Sequence, residues 1–121
     1  SKTRNDPVEP IDPATSQRRE ADAAIECINC GVCYASCDTV KWDNEYLGPA
    51  QLNRAWTLVN DVRDAGNRER LIAVSEGSGC HSCHSHQSCQ EFCPVGLNPT
   101  RSIAGLKRKS LAAYLKGELK P

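Results

Sequence analysis

The chain has 121 residues, with 15 Lys and Arg set against 15 Asp and Glu, so its formal net charge is zero. That length holds one small domain, with or without a tail, and the charge balance argues against nucleic acid as a partner, because phosphate contacts need a basic excess. Leu, Ile, Val and Phe number only 22, too few for a large apolar core yet without the net charge of a disordered chain, which leaves the eight cysteines to hold the fold.

The chain opens Ser1-Lys2-Thr3-Arg4, with no initiator Met and no apolar run behind it. No signal peptide is expected, and the chain reads as a processed product or a piece of something longer. No stretch approaches the ~20 apolar residues of a membrane-spanning helix. Residues 1–20 carry Pro7, Pro10 and Pro13 among Asp, Glu, Arg and Ser, which predicts an extended arm or linker. Residues 21–121 are predicted to form a mostly α-helical domain. Helical spacing is clearest from Ala50 to Arg63, where Leu52, Ala55, Trp56, Val59 and Val62 share one face, with Gly48-Pro49 before it and Gly66 after it. A shorter helix is expected over Asn67 to Val74. A last helix starts at an Asn98 cap with Pro99 in the first helical position and runs past Ile103, Leu106 and Leu115. No run alternates with period two. The last helix is rich in cations, with Arg101, Lys107, Arg108, Lys109, Lys116 and Lys120 against Glu118. That pattern reads either as a solvated face or as a basic surface for anionic headgroups or an acidic partner.

The cysteines fall into two groups of four. The first, Cys27-x2-Cys30-x2-Cys33-x3-Cys37, has the spacing of the bacterial ferredoxin run, in which three thiolates converge on one cubane and the fourth serves a neighbouring cluster. Gly31 eases the loop between them. The second is Cys80-x2-Cys83-x5-Cys89-x3-Cys93-Pro94. Counted from Cys83 it is the same run with His86 in place of the second Cys. Two such runs predict two clusters with exchanged fourth ligands: Cys27, Cys30, Cys33 and Cys93 on one, and Cys83, Cys89 and Cys37 on the other. A site with three thiolates favours a 3Fe–4S cluster with an open corner. His86 and Cys80 are the two candidates to close that corner, since imidazole replaces thiolate in some clusters. Four disulfides in a secreted mini-domain and two four-cysteine zinc sites are the competing uses of eight cysteines. Structural zinc, however, prefers separated C-x2-C pairs without a third Cys two residues on. His81, His84 and His86 all sit inside the second group, placed to donate hydrogen bonds to sulfur or to relay protons.

Several segments together resemble one family. They are Cys27-Ile28-Asn29-Cys30-Gly31-Val32-Cys33-Tyr34-Ala35-Ser36-Cys37, Leu47-Gly48-Pro49-Ala50, Asp61-Val62-Arg63-Asp64, Cys83-His84-Ser85 and Cys93-Pro94-Val95-Gly96-Leu97-Asn98-Pro99-Thr100-Arg101. In order and spacing, over roughly residues 20–116, they resemble the C-terminal, α-helical ferredoxin half of the iron–sulfur subunit of succinate dehydrogenase and fumarate reductase, respiratory complex II. The β-grasp half with its 2Fe–2S cluster has no counterpart in these residues.

The resemblance implies a 4Fe–4S cluster on Cys27, Cys30, Cys33 and Cys93, and a 3Fe–4S cluster on Cys37, Cys83 and Cys89. It implies quinone as the electron acceptor near the second cluster, with Trp42 and His84 matching quinone-site positions; the plainer reading of Trp42 is an ordinary buried aromatic. The implied partners are a flavoprotein subunit, a chain or segment carrying the 2Fe–2S domain, and membrane-anchor subunits. The implied location is peripheral on an energy-transducing inner membrane, on the mitochondrial matrix side or the bacterial cytoplasmic side. In such an assembly this chain relays electrons and carries no dicarboxylate site. Three positions depart from the family pattern: Asp38 stands where Pro is usual, His86 where an apolar or small residue is usual, and Cys80 is extra. Similar two-cluster subunits serve glycolate, glycerol-3-phosphate and heterodisulfide oxidoreductases, but their second run normally has four Cys at full spacing. A zinc-dependent assembly module is the alternative of another class.

Overall fold

The computed structural model describes residues 5–8, 10–61, 64, 66–76, 79–84 and 87–117. Helices α1 (Ser16–Ile25), α4 (Pro49–Val59), α5 (Asn67–Ser75) and α7 (Pro99–Leu115) form the frame. Shorter helices α2 (Val32–Ser36), α3 (Asp38–Trp42) and α6 (Ser88–Glu91), with a 3-10 turn at Cys80–Ser82, lie around the cysteines. No strand occurs among the described residues. The fold is the mostly helical one that the periodicity predicted.

Each long helix near the cysteines starts with proline in its first turn, where a missing N–H costs nothing. The Asn98 side chain also accepts from the Arg101 N–H at 3.1 Å, capping α7 at the predicted place. Helices α4 and α7 pack against each other; α1 covers α4, and α5 touches both. Leu52, Trp56 and Val59 of α4 meet Ile103, Leu106 and Ala113 of α7 in one buried cluster, joined by Ala24, Tyr46, Leu71 and Val74. The close approach is set by Gly105, where a Cβ would overlap the Trp56 indole. A single polar side chain also ties three helices: Asn53 Nδ2 donates to the Ala24 carbonyl at 3.1 Å, and Asn53 Oδ1 accepts from Ser102 Oγ at 2.7 Å. Both side chains are buried, so each hydrogen bond satisfies a group that would otherwise be costly to leave unpaired.

Four expectations are corrected. Helix α4 stops at Val59, short of Arg63: the Asp61 N–H turns back to the Leu58 carbonyl at 3.2 Å, and Asn67 Nδ2 donates to the Val59 carbonyl at 3.2 Å. A side-chain amide thus occupies a carbonyl that another helical turn would use; Val62 and Arg63 lie outside the described residues. Helix α7 ends at Leu115 instead of running past it, and Leu115 is 76% exposed. The boundary at residue 20 falls inside α1, whose start is capped by Thr15 Oγ1 accepting from the Arg18 N–H at 3.3 Å. Residues 16–20 are helical because Ala21 and Ala24 give this segment an apolar face to bury on α4. Finally, much of the positive charge on α7 is used inside the molecule. Arg101 pairs with Glu20 at 2.6 Å, Lys107 Nζ donates to the Cys83 carbonyl at 2.9 Å, and Lys109 Nζ donates to Asn60 Oδ1 at 3.0 Å. Lys109 also sits over the Trp56 ring, 5.2 Å from its centroid. Lys120 and Glu118 lie outside the described residues.

Candidate metal centre

The first cysteine run turns twice before α2. Asn29 and Gly31 both have positive φ, at 60° and 77°, and Gly31 is the N-cap of α2. These bends swing Cys27, Cys30 and Cys33 to one side. Together with Cys93 they line one pocket, whose other walls include Ala50, Val95, Leu97 and Pro99. The Leu97 N–H points at Cys93 Sγ from 3.4 Å. Most of this lining is apolar.

The second run repeats the local design. Gln87 has φ 65° and is the N-cap of α6. It lies four residues after Cys83, as Gly31 lies four after Cys27. A non-glycine residue is strained in that region, so the bend itself is what the loop retains. Cys37, Cys83 and Cys89 line a second pocket with Tyr46, His84, Gln87, Thr100 and Ile103. The last cysteine of each run therefore faces the other run's pocket. The reason is local: Cys33 lies within one-turn helix α2 and Cys37 just past its end, while Cys89 and Cys93 bear the same relation to α6. Helices α2 and α6 pack against each other, so each passes its last cysteine across.

Electrostatics show thiols crowded together. Burial, then the charges of Cys89, Cys27 and Cys30, push the Cys33 thiol up to about 11, against an opposing backbone hydrogen bond at Tyr34. Burial also raises the Cys89 thiol; the Thr100 hydroxyl, 3.3 Å from its sulfur, opposes this, while the Cys83 and Cys37 charges add to it. Without a cation these thiols keep their protons. Iron reverses that balance, because a coordinating thiol is deprotonated outright. Four thiols around one space are the donor set of a 4Fe–4S cubane, and three around the other are that of a 3Fe–4S cluster. Both sites fit such groups. Among the described residues no three of His, Cys, Asp or Glu converge on a single-ion position, whereas a cluster takes its ligands at separate corners.

The remaining singled-out residues sit elsewhere. All eight cysteines are free thiols, so no disulfide framework forms. Cys80 is fully buried and lines neither cysteine pocket; its sulfur lies 4.0 Å from Ser110 Oγ, which is also 3.0 Å from His81 Nε2. Trp42 is 71% exposed, not an ordinary buried aromatic, and stands edge-on to His84 with ring centroids 6.4 Å apart. His86 lies outside the described residues. The sequence reading missed Tyr46 and Thr100, which face sulfur in the second pocket. With only one Phe, three Tyr and two Trp, an aromatic two residues before a Gly-Pro helix start was a signal worth following. Thr100, inside the first turn of α7, had no such signal.

Residues 26–98, which include every cysteine of both pockets, match the family model described as a 4Fe-4S dicluster domain. A mitochondrial succinate dehydrogenase (ubiquinone) iron-sulfur subunit of Candida glabrata is 39% identical over 93 residues, covering 76% of this chain and 37% of the relative. Iron-sulfur subunit 1 of the same enzyme from Oryza sativa subsp. japonica is 36% identical over 108 residues, 88% of this chain and 38% of the relative. The chain thus spans little more than a third of the length of the curated relatives it matches. With its cysteines gathered around two adjacent pockets and the family model spanning both, the chain belongs to the 4Fe-4S dicluster domain family.

Proposed function

We propose that this chain is an electron relay of a succinate:quinone oxidoreductase. In this reading a 4Fe–4S cluster is held by Cys27, Cys30, Cys33 and Cys93, a 3Fe–4S cluster by Cys37, Cys83 and Cys89, and neither His86 nor Cys80 is a ligand. The observation that carries it is the sorting of the thiols into a set of four and a set of three around neighbouring pockets. When bound, such clusters supply one-electron redox chemistry. The chain does the rest. Its thiolates hold the irons, and Ala50, Val95 and Leu97 keep the first site dry. Thr100 sets a hydroxyl beside Cys89, and Lys107 fixes the Cys83 carbonyl. Exposed Trp42, edge-on to His84 beside the second pocket, is the surface proposed to meet quinone.

The partners in this proposal are a flavoprotein that oxidises succinate, a chain or segment with a 2Fe–2S domain, and membrane-anchor subunits. The relatives' names speak for a mitochondrial setting. Among the described residues no helix is long and apolar enough to cross a membrane, which suits peripheral attachment at the inner membrane. Electron paramagnetic resonance (EPR) tests the ligand sets. Cys30→Ser is expected to lose the 4Fe–4S signal and keep part of the 3Fe–4S signal, and Cys83→Ser to do the reverse. Two variants that lose the same single cluster would overturn the assignment, and a colourless, zinc-loaded protein would overturn the cofactor class.

A further inference from the structure

Tyr46 faces the second pocket, and nothing so far accounts for its hydroxyl. The residue is 2% exposed and belongs to the buried cluster between α4 and α7. Its backbone is fixed by the turn after α3, with the Tyr46 N–H donating to the Asp43 carbonyl at 3.1 Å. Phenylalanine would fill the same space. Instead the chain buries a phenol whose oxygen has no partner at hydrogen-bonding geometry, a state that native interiors rarely tolerate without a use. The pocket this side chain lines is the one walled by sulfur: Cys37, Cys83 and Cys89 share it with Tyr46.

Resting on the reading of that pocket as a 3Fe–4S site, we infer that Tyr46 donates its hydroxyl hydrogen bond to sulfur of the second cluster and so raises that cluster's reduction potential. The physics is one of differential stabilisation. Reduction adds negative charge that spreads onto sulfur, so a fixed donor aimed there stabilises the reduced form more than the oxidised one. The first pocket offers a contrast. Its polar wall residue Asn53 already spends its amide on Ala24 and Ser102, leaving backbone Leu97 N–H beside Cys93. Tyr46 is a positioning residue: it touches the ligand shell and tunes the cluster's potential.

The test is an EPR-monitored redox titration of the cluster-loaded protein. Tyr46→Phe is expected to lower the reduction equilibrium constant of the second cluster about tenfold, which at 59 mV per decade for one electron is about 60 mV. The first cluster should keep its potential, and exposed Tyr114→Phe should move neither. A complementary variant strengthens the donor without changing shape. In a Tyr34→Phe, Tyr114→Phe background, fluorotyrosine in place of tyrosine leaves one more acidic phenol, at position 46, and is expected to raise the second potential. If both substitutions leave the second potential in place while its signal persists, the inference is overturned. A wild-type protein without a 3Fe–4S signal overturns the cluster reading instead, and this inference with it.

Discussion

Gly105→Ala isolates how the crossing of α4 and α7 serves the metal centre. In an exposed helix interior the change gains about 1 kcal/mol, because alanine is the better helix former. Here the new methyl would overlap the Trp56 ring. That ring is 4% exposed and lies under Lys109 at 5.2 Å, so it has no free side to move toward. Overpacking of this kind costs about 1–3 kcal/mol, and the pinned ring puts the cost at the upper end. The net is a loss of about 2 kcal/mol, or about 8–16 °C in the melting midpoint of a domain this size. The effect reaches the clusters because Pro49, Ala50 and Asn53 at the start of α4 and Pro99, Thr100 and Ile103 at the start of α7 line the two pockets. Anaerobic melting followed in parallel by circular dichroism and visible absorbance should show helix loss and bleaching moving down together. Ala104→Gly, one position away and exposed, should lose only about 1 kcal/mol, through propensity. A Gly105→Ala protein that melts at or above the wild type would refute the argument.

Two further outcomes follow from the same physics. Because Leu, Ile, Val and Phe total only 22 residues, iron chelation should abolish most of the far-ultraviolet helical signal; a chelated sample with a cooperative thermal transition would contradict that. The positive-φ N-caps of the short helices α2 and α6 should respond differently. Gly31→Ala places a side chain in a left-handed conformation that costs about 1–2 kcal/mol, and should speed bleaching. Gln87→Gly relieves such strain, less about 0.5–1 kcal/mol of glycine entropy, and should slow bleaching or leave its rate unchanged; faster bleaching would show that the Gln87 side chain itself holds the loop.

What the sequence by itself determined is local. Cysteine spacing over a few residues dictates which thiols a loop and a one-turn helix present, so the two matching runs from Cys27 and Cys83 were legible without coordinates. Asn98-Pro99 marked the start of α7 for the same reason, since a cap and a proline act within one turn. Burial on α4 at Leu52, Trp56 and Val59 followed from the 3.6-residue period. Only the tertiary structure decided where distant groups meet. Asn67 reaches back to the last carbonyl of α4, and Ser110 occupies Cys80 from 30 residues away. Lys107 and Lys109 look in sequence like members of a basic surface, yet their charges go to Cys83 and Asn60, 24 and 49 residues distant. Trp42, which sequence leaves between a quinone-site position and a core aromatic, stands in solvent, while Tyr46, four residues on, is buried beside the cysteines of the second pocket. Spacing sets what one turn of backbone can offer, but the partner of a side chain is set by which helix packs across from it, and no local pattern carries that information.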